Sequence, residues 1–445
     1  MLDVASQLYS CRASFHSLIE ARGYCKWIGI LFAAGDVPFC GSLVVYGEIR
    51  ERVGDVKRLL ITMPWGIGDA IVVGLSAVDQ IRCNDPAGEV EIDVLCNQVQ
   101  REIFAEDARI HRVIEVDREL FPLGATGIWK RGVFLSAEQV KLAQFLRAQS
   151  YAAVLPFLFA PTFFYCLHLP VMFFNPWQAW RIMARLRALE DAPMQMLIRG
   201  IINKYAGKKA LDFTSEATIP LYICPEHVLK ARRTVAWIRA QVGMPQGWGK
   251  LLMVAPDTSS VITRPPTRLL AEGIAAALRR DHSLLVVILP GYTDVDAAPR
   301  LEQALLPAFP GRVFLLPAEP APSLLELAAL IDQCDLFVSG DTGVMHLAAA
   351  TKRLASASGG ACEPRNTVKI ISLFGGTNPA LHGYSKRSII LGRGRKEQTR
   401  IAPGVMKDLY DPAGKNLFDH IVPQELTDAI CSSLQDREEG LLASS

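Results

Sequence analysis

Two stretches far apart in the chain share one design: an apolar run of strand length, a glycine-containing polar turn, and a helix of small apolar residues. The first is Arg58-Leu-Leu-Ile-Thr-Met-Pro-Trp-Gly-Ile-Gly-Asp-Ala-Ile-Val-Val73. The second is Leu336-Phe-Val-Ser-Gly-Asp-Thr-Gly-Val-Met-His-Leu-Ala-Ala-Ala350. A buried apolar run that feeds a helix is the unit of parallel α/β structure, because a parallel neighbour is reached only by a crossover. Two such junctions, widely separated, point to two facing α/β domains. In the second junction Leu336–Val338 reads as strand and Ser339–Gly343 as turn. Asp341 and Thr342 sit where they can cap the helix. The backbone N–H groups there, with Thr342 and His346, lie at a helix N-terminus, where phosphate oxygens are favoured. A merely well-capped helix reads the same way, so the turn alone leaves both roles open.

The rest of the chain keeps the alternation. In the first half, strands are expected at Leu59–Met63, Glu91–Leu95, Arg112–Val116 and Ala152–Leu155. Helices are expected at Asp69–Ile81, Gln98–Phe104 and Ala137–Ala148. In the second half the strands are Pro220–Ile223, Lys250–Ala255, Ser283–Leu289, Val313–Leu316, Leu336–Val338, Thr367–Phe374 and Ile389–Leu391. Helices fall at Glu226–Val242, Leu269–Arg279, Ser323–Ile331 and Pro423–Leu434. Thr351–Pro364, rich in Ser, Gly and Ala, reads as an exposed loop. The expected division is an N-terminal extension over 1–56, a first domain over 57–218 with a hydrophobic insertion at 152–213, and a second domain over 219–438. The turns Gly66–Asp69, Pro256–Ser260, Pro290–Thr293, Ser339–Gly343 and Gly375–Asn378 all follow strand carboxyl ends. Ligands bind there in open parallel sheets, so these turns can share one cleft.

Together the two junctions resemble the signatures of glycosyltransferase family 9, the heptosyltransferases: Gly-Asp after the first strand, and Asp-Thr-Gly-x-Met-His-Leu-Ala-Ala-Ala in the second domain. The resemblance runs from about Lys57 to near Gln435. It implies an α/β chain of the GT-B kind, two doubly wound Rossmann-like domains facing each other across a cleft. It also implies inverting, metal-independent transfer of heptose from ADP-heptose to a lipopolysaccharide-core or related acceptor. The setting implied is cytoplasmic, at the inner face of the inner membrane. The partners are a nucleotide sugar and a lipid-linked or glycan acceptor. No cofactor beyond the donor and no metal is expected.

The resemblance gives residues their roles. Asp69 is the expected base for the acceptor hydroxyl, with Gly66 and Gly68 leaving room for the acceptor; an acid complementing the helix dipole is the plainer alternative. The donor is expected on Thr258, Ser259, Ser260, Arg264, Asp341, Thr342, Gly343, Met345 and His346, although Met345 reads first as helix packing and a structural histidine is the plainer alternative for His346. Gly375, Gly376, Thr377 and Asn378 are weaker cleft candidates. Two departures stand out. The family commonly carries a lysine before an aromatic–proline pair where this chain has Thr263-Arg-Pro-Pro266; Arg264 can substitute for it, or Arg268 can reach in, since arginine grips phosphate. It also commonly has Gly-Pro-Thr where this chain has Gly375-Gly-Thr377.

Other classes are disfavoured. A net charge of +2 gives no reason to expect nucleic acid. Ten scattered cysteines without a Cys-x-x-Cys pair suit reduced thiols, not a zinc ribbon. The mean hydropathy of +0.21 leaves room for membrane contact. The uncharged stretch Ala152–Phe174, flanked by Trp177, Trp180, Arg181, Arg185 and Arg187, reads as a buried core, a membrane-surface element or a span. Pro156, Pro161 and Pro170 oppose one continuous helix. The apolar run after Arg22 and Lys26 starts too late for a secretory signal. Asp294-Val-Asp296 resembles a metal-holding pair but lacks its context. No P-loop or Gly-x-Ser-x-Gly occurs. The remaining alternatives are a family member with another donor or acceptor, a catalytically idle sugar-nucleotide binder, and an epimerase relying on Tyr205 and Lys209.

Overall fold

The computed structural model describes residues 58–63, 66–117, 137–155, 194–206, 218–243, 249–260, 262–355, 363–377, 379, 383–384, 386–392 and 417–442. The extension 1–56, the apolar stretch from Pro156 onward with its flanking Trp and Arg residues, Lys209 and Asn378 lie outside the described residues.

The first half is a parallel four-stranded sheet of β1 (Arg58–Met63), β2 (Glu91–Cys96), β3 (Arg112–Glu115) and β4 (Ala153–Leu155), ordered β3-β2-β1-β4. Every β1 residue after Arg58 is buried, as a central strand covered on both faces must be. The chain winds outward from β1 to β3 and then returns to the other side of β1. The strand order therefore reverses beside β1, the place where such sheets leave a crevice.

Helix α1 follows β1 and runs over 67–84. It is α-helical over Ile67–Asp69, π-helical over Ala70–Leu75 and α-helical again over Ser76–Asn84. The wide turn begins directly after Asp69, and such interruptions cluster at functional sites. Helix α2 (Gln98–Ala105) starts from a capping box in which Asn97 accepts from the Gln100 N–H. Helix α3 (Ala137–Ala148) covers the opposite face. Helix α4 (Met194–Tyr205) falls in the Arg- and Lys-rich stretch 184–213, which reads from sequence as helix and linker, and it packs on α1. Buried Gln80 donates to Asn203 Oδ1 at 2.7 Å, and Arg199 pairs with Asp79 at 2.7 Å.

The second half holds a parallel six-stranded sheet: β6 (Lys250–Ala255), β7 (Leu284–Ile288), β8 (Val313–Leu315), β9 (Leu336–Gly340), β11 (Lys369–Phe374) and β12 (Ser388–Gly392). Their order is β12-β11-β9-β6-β7-β8. Here the winding reverses between β6 and β9, which puts the turns after these two strands at the crevice. Helices α5 (Pro225–Gln241), α6 (Thr267–Arg280), α7 (Ala297–Leu305), α8 (Leu324–Asp332), α9 (Gly343–Ala349) and α10 (Pro423–Leu442) complete this half. The two doubly wound parallel sheets make the GT-B architecture expected from sequence.

One expectation fails. Thr351–Leu354 is not exposed loop but strand β10, which pairs in parallel with β5 (Pro220–Ile223) as a separate two-stranded sheet. Lys352, central in β10, is only 1% exposed; its Nζ donates to Ala348 O at 2.9 Å and lies 4.0 Å from Asp332 Oδ1. Asn366 flanks the strand, accepting from Lys352 N and donating to Lys352 O. The short polar sequence hides a strand because a partner far away in the chain supplies its ladder.

One hydrophobic core links the halves. It includes Leu59, Ile71 and Phe104 from the first and Met253, Phe337, Met345, Phe374 and Tyr384 from the second. A second core lies on the far face of the six-stranded sheet, under α6, α7 and α10.

Candidate active site

The two junctions singled out in the sequence meet. A β-carbon on Gly343, the first residue of α9, would lie 2.9 Å from Ile67 Cβ and 3.2 Å from Gly68 N. A β-carbon on Gly68 would lie 2.7 Å from His346 Cδ2 and 3.6 Å from Gly343 Cα. The starts of α1 and α9 thus press backbone against backbone, which only residues without side chains allow. Asp69 is half-buried in the first turn of α1, and its Oδ2 accepts from Gly66 N at 3.3 Å. Gln100 Nε2 donates to Gly66 O at 3.2 Å and ties the turn to α2. Glu102 reaches across to accept from Leu324 N at 2.7 Å, a hydrogen bond between the halves.

On the α9 side, Thr342 is the N-cap residue in extended conformation, but its hydroxyl makes no capping hydrogen bond. The capping expected of it is therefore absent, while its carbonyl accepts from the N–H of Met345 and of His346. Asp341, Thr342 and Gly343 are half-buried. His346 is 6% exposed; its Nδ1 lies 2.7 Å from the Tyr384 hydroxyl, and its Nε2 lies 3.7 Å from Asp341 Oδ1. Tyr384 carried no signal in the sequence: it follows β11 in an irregular stretch with no motif around it.

Of its two readings, Met345 takes helix packing and leaves the donor set. It is fully buried in the shared core, because α9 turns that face inward.

The turns after β6 and β7 form a polar cluster. Asp257 Oδ2 accepts the N–H groups of Tyr292, Thr293 and Asp294 at 2.9, 2.7 and 3.1 Å. Its other oxygen lies 2.9 Å from the Arg264 guanidinium. Arg264 also bonds Asp294 Oδ2 and Thr258 O, each at 3.1 Å. Arg300 joins Asp294 at 2.6 Å, and these two arginines, Arg300 foremost, hold the Asp294 carboxyl below the usual range.

This corrects two expectations. Arg264 is neutralised by two carboxylates and so does not offer the uncompensated charge expected for a diphosphate. Arg268 does not replace it, being 87% exposed at its side chain and paired with Glu272. Thr258 is buried and donates to Ser260 O at 2.6 Å, while Thr263 donates to Thr258 Oγ1 at 2.9 Å. Its hydroxyl holds the loop's shape. Ser259 is exposed and Ser260 half-buried at the edge of the same loop. Asp294 of the Asp-x-Asp pair serves arginine, and among the described residues no cluster of three or more His, Cys, Asp or Glu suits a metal ion. Gly376 N donates to Ile262 O at 3.0 Å, which brings the turn after β11 to the same edge; Gly375 packs against Phe418, and the Thr377 hydroxyl is buried. No helix among the described residues is long and apolar enough to cross a membrane.

Residues 319–402, which contain β9, α9 and Tyr384, match the model of glycosyltransferase family 9 (heptosyltransferase). No curated protein matches the chain. Among solved structures it is similar to the family 9 glycosyl transferase from Veillonella parvula DSM 2008. The identity is 16% over 85% of this chain and 98% of that one, with a TM-score of 0.59. It is also similar to ADP-heptose lps heptosyltransferase II of E. coli, at 16% identity over 86% of this chain and 99% of that one, with a TM-score of 0.54. These likenesses are ones of fold.

Proposed function

We propose that the chain is a family 9 glycosyltransferase and that it moves a heptose from ADP-heptose to a lipopolysaccharide-core or related glycan acceptor, with inversion and without a metal. The observation that carries this reading is the packing of Gly68 on Gly343 and His346. It brings Gly68, the residue before Asp69, against the first residue of α9, and in this reading Asp69 is a base working next to a donor platform at Asp341–Gly343.

In this reading Asp69 takes the proton of the acceptor hydroxyl as that oxygen attacks the anomeric carbon. The bond to the nucleoside diphosphate breaks on the opposite face, and the configuration inverts. The leaving diphosphate lies at the crevice between the turns after β6 and β9. The Thr342 hydroxyl, which caps nothing, and the Ser259 side chain can donate to it there, with backbone N–H groups. With Arg264 already paired, hydrogen-bond donors carry most of that stabilisation. Holding both substrates in line across the joined helices supplies the positional share of the rate. In the same reading the acceptor binds on the first half, at Gly66–Asp69, and the enzyme works at the cytoplasmic face of the inner membrane.

The test is thermal stabilisation of the protein by ADP, ADP-heptose, and UDP and GDP sugars, without added divalent cation. Selective stabilisation by ADP and ADP-heptose is expected. Stabilisation by a UDP or GDP compound alone would overturn the donor assignment and leave the fold intact. No stabilisation by any of them favours a binding site that forms only with acceptor present, or an idle protein.

A further inference from the structure

We infer that Tyr384 is a positioning residue that selects the tautomer of His346 and, through it, the orientation of Asp341 at the mouth of the site. His346 Nδ1 and the Tyr384 hydroxyl are 2.7 Å apart, and the two rings meet edge-on at 5.6 Å and 70°. Both residues are buried, at 6% and 4% exposure, so water does not compete freely for either partner. On the other side of the imidazole, Nε2 lies 3.7 Å from Asp341 Oδ1.

An ionised carboxylate only accepts, so the ring nitrogen facing Asp341 is the one that carries hydrogen. In a neutral imidazole the other nitrogen then has a lone pair, and the phenol donates to it. Tyr384 O–H to Nδ1, with Nε2–H turned towards the Asp341 carboxylate 3.7 Å away, is the arrangement these two contacts favour. Gly68, packed on Cδ2, leaves the ring no room to swing towards the first half. The hydroxyl of Tyr384 therefore reaches the reaction edge through one ring without touching a substrate. What Asp341 then holds, a sugar hydroxyl of the donor, rests on the proposed function. The tautomer does not.

Two measurements test this. The first is the ¹⁵N spectrum of histidine-labelled free protein, with the His346 signal assigned by its loss in His346→Gln. The inference requires the Nε2–H tautomer in the unsubstituted protein, and a shift towards mixed tautomers in Tyr384→Phe, which keeps the ring and removes only the oxygen. The second is steady-state kinetics with ADP-heptose, where Tyr384→Phe should raise donor KM about tenfold and leave kcat within about twofold, the pattern of lost uniform binding. In a His346→Gln background, the side-chain amide offers N–H without a tautomer choice. Tyr384→Phe should then add no further loss.

An Nδ1–H tautomer in the unsubstituted protein, or His346 nitrogen signals unmoved by Tyr384→Phe, overturns the inference. If ADP-heptose is not a substrate, the proposed function fails while the spectra still decide the role of Tyr384. A purely packing role would leave both the tautomer and KM unchanged.

Discussion

Gly68 and His346 touch across the two halves with no space for a methyl group: a β-carbon on Gly68 would stand 2.7 Å from Cδ2 and 3.3 Å from Nε2. The imidazole is pinned behind by Tyr384, so it cannot yield cheaply. Gly68→Ala should therefore part the starts of α1 and α9. Overpacking of this kind costs about 1–3 kcal/mol, read as a lower midpoint in urea, and turnover should fall with it. For the urea midpoint Gly66→Ala is the control, since among the described residues its β-carbon would meet only Asp69 Oδ2, at 3.9 Å. Equal shifts of the urea midpoint in the two variants would show that the contact does not matter.

Asp69→Asn should keep an acceptor for Gly66 N while removing the base. Turnover should drop by about 10²- to 10⁴-fold, the usual worth of a general base, with donor-induced thermal stabilisation unchanged. Turnover within twofold of the unsubstituted protein would remove Asp69 from the chemistry.

Arg264 and Arg268 should separate sharply. Arg264→Gln leaves Asp257, 7% exposed at its side chain, without its cation. The expected loss is about 2–3 kcal/mol of stability, together with weaker donor binding as the turn after β6 loosens. Arg268→Ala breaks only an exposed pair with Glu272 and should move neither the urea midpoint nor donor affinity. A loss of donor affinity in Arg268→Ala would restore it as the phosphate ligand.

Lys352 gives a pH signature. Burial pushes its ammonium down to about 7 from 10.5, against the opposing pull of Asp332. Between those values the unfolded chain holds a proton that the folded protein does not. Stability from this group therefore rises with pH across that window and is lost as pH falls through about 7. Relative to Lys352→Met, the unsubstituted protein should gain in urea midpoint from pH 7 to pH 10. A difference that is flat with pH would mean the amine stays charged when buried.

The strands and the turns after them were legible in the sequence because a parallel strand is apolar on both faces and its turn is polar. Leu59–Met63 and Leu336–Val338 needed no partner to be recognised, and neither did the turns holding Asp69 and Asp341–Gly343. The same local logic failed at β10, where Thr351–Leu354 is polar and pairs with β5 from more than a hundred positions away. It also missed the π-helical turn over Ala70–Leu75, since hydrophobic spacing does not distinguish a widened turn from an ordinary one.

Charge partnerships were the least legible. Arg264 looked available because its neighbours in sequence are Thr263, Pro265 and Pro266. Its carboxylates, Asp257 and Asp294, arrive from two different turns. Met345 lies between residues of the site motif, but its place in a helix that presses on the sheet turns it into the core.

The sequence by itself determined the alternation of strand and helix, the two junctions, and the residue types at the crevice, since these depend on local patterning and on the demands of a buried parallel strand. The tertiary structure alone decided that the junctions touch through Gly68, Gly343 and His346, that Arg264 is already neutralised, and that Tyr384 stands behind His346. These are distances between residues remote in the chain, set by how the two sheets and their shared core pack, and no local pattern encodes them.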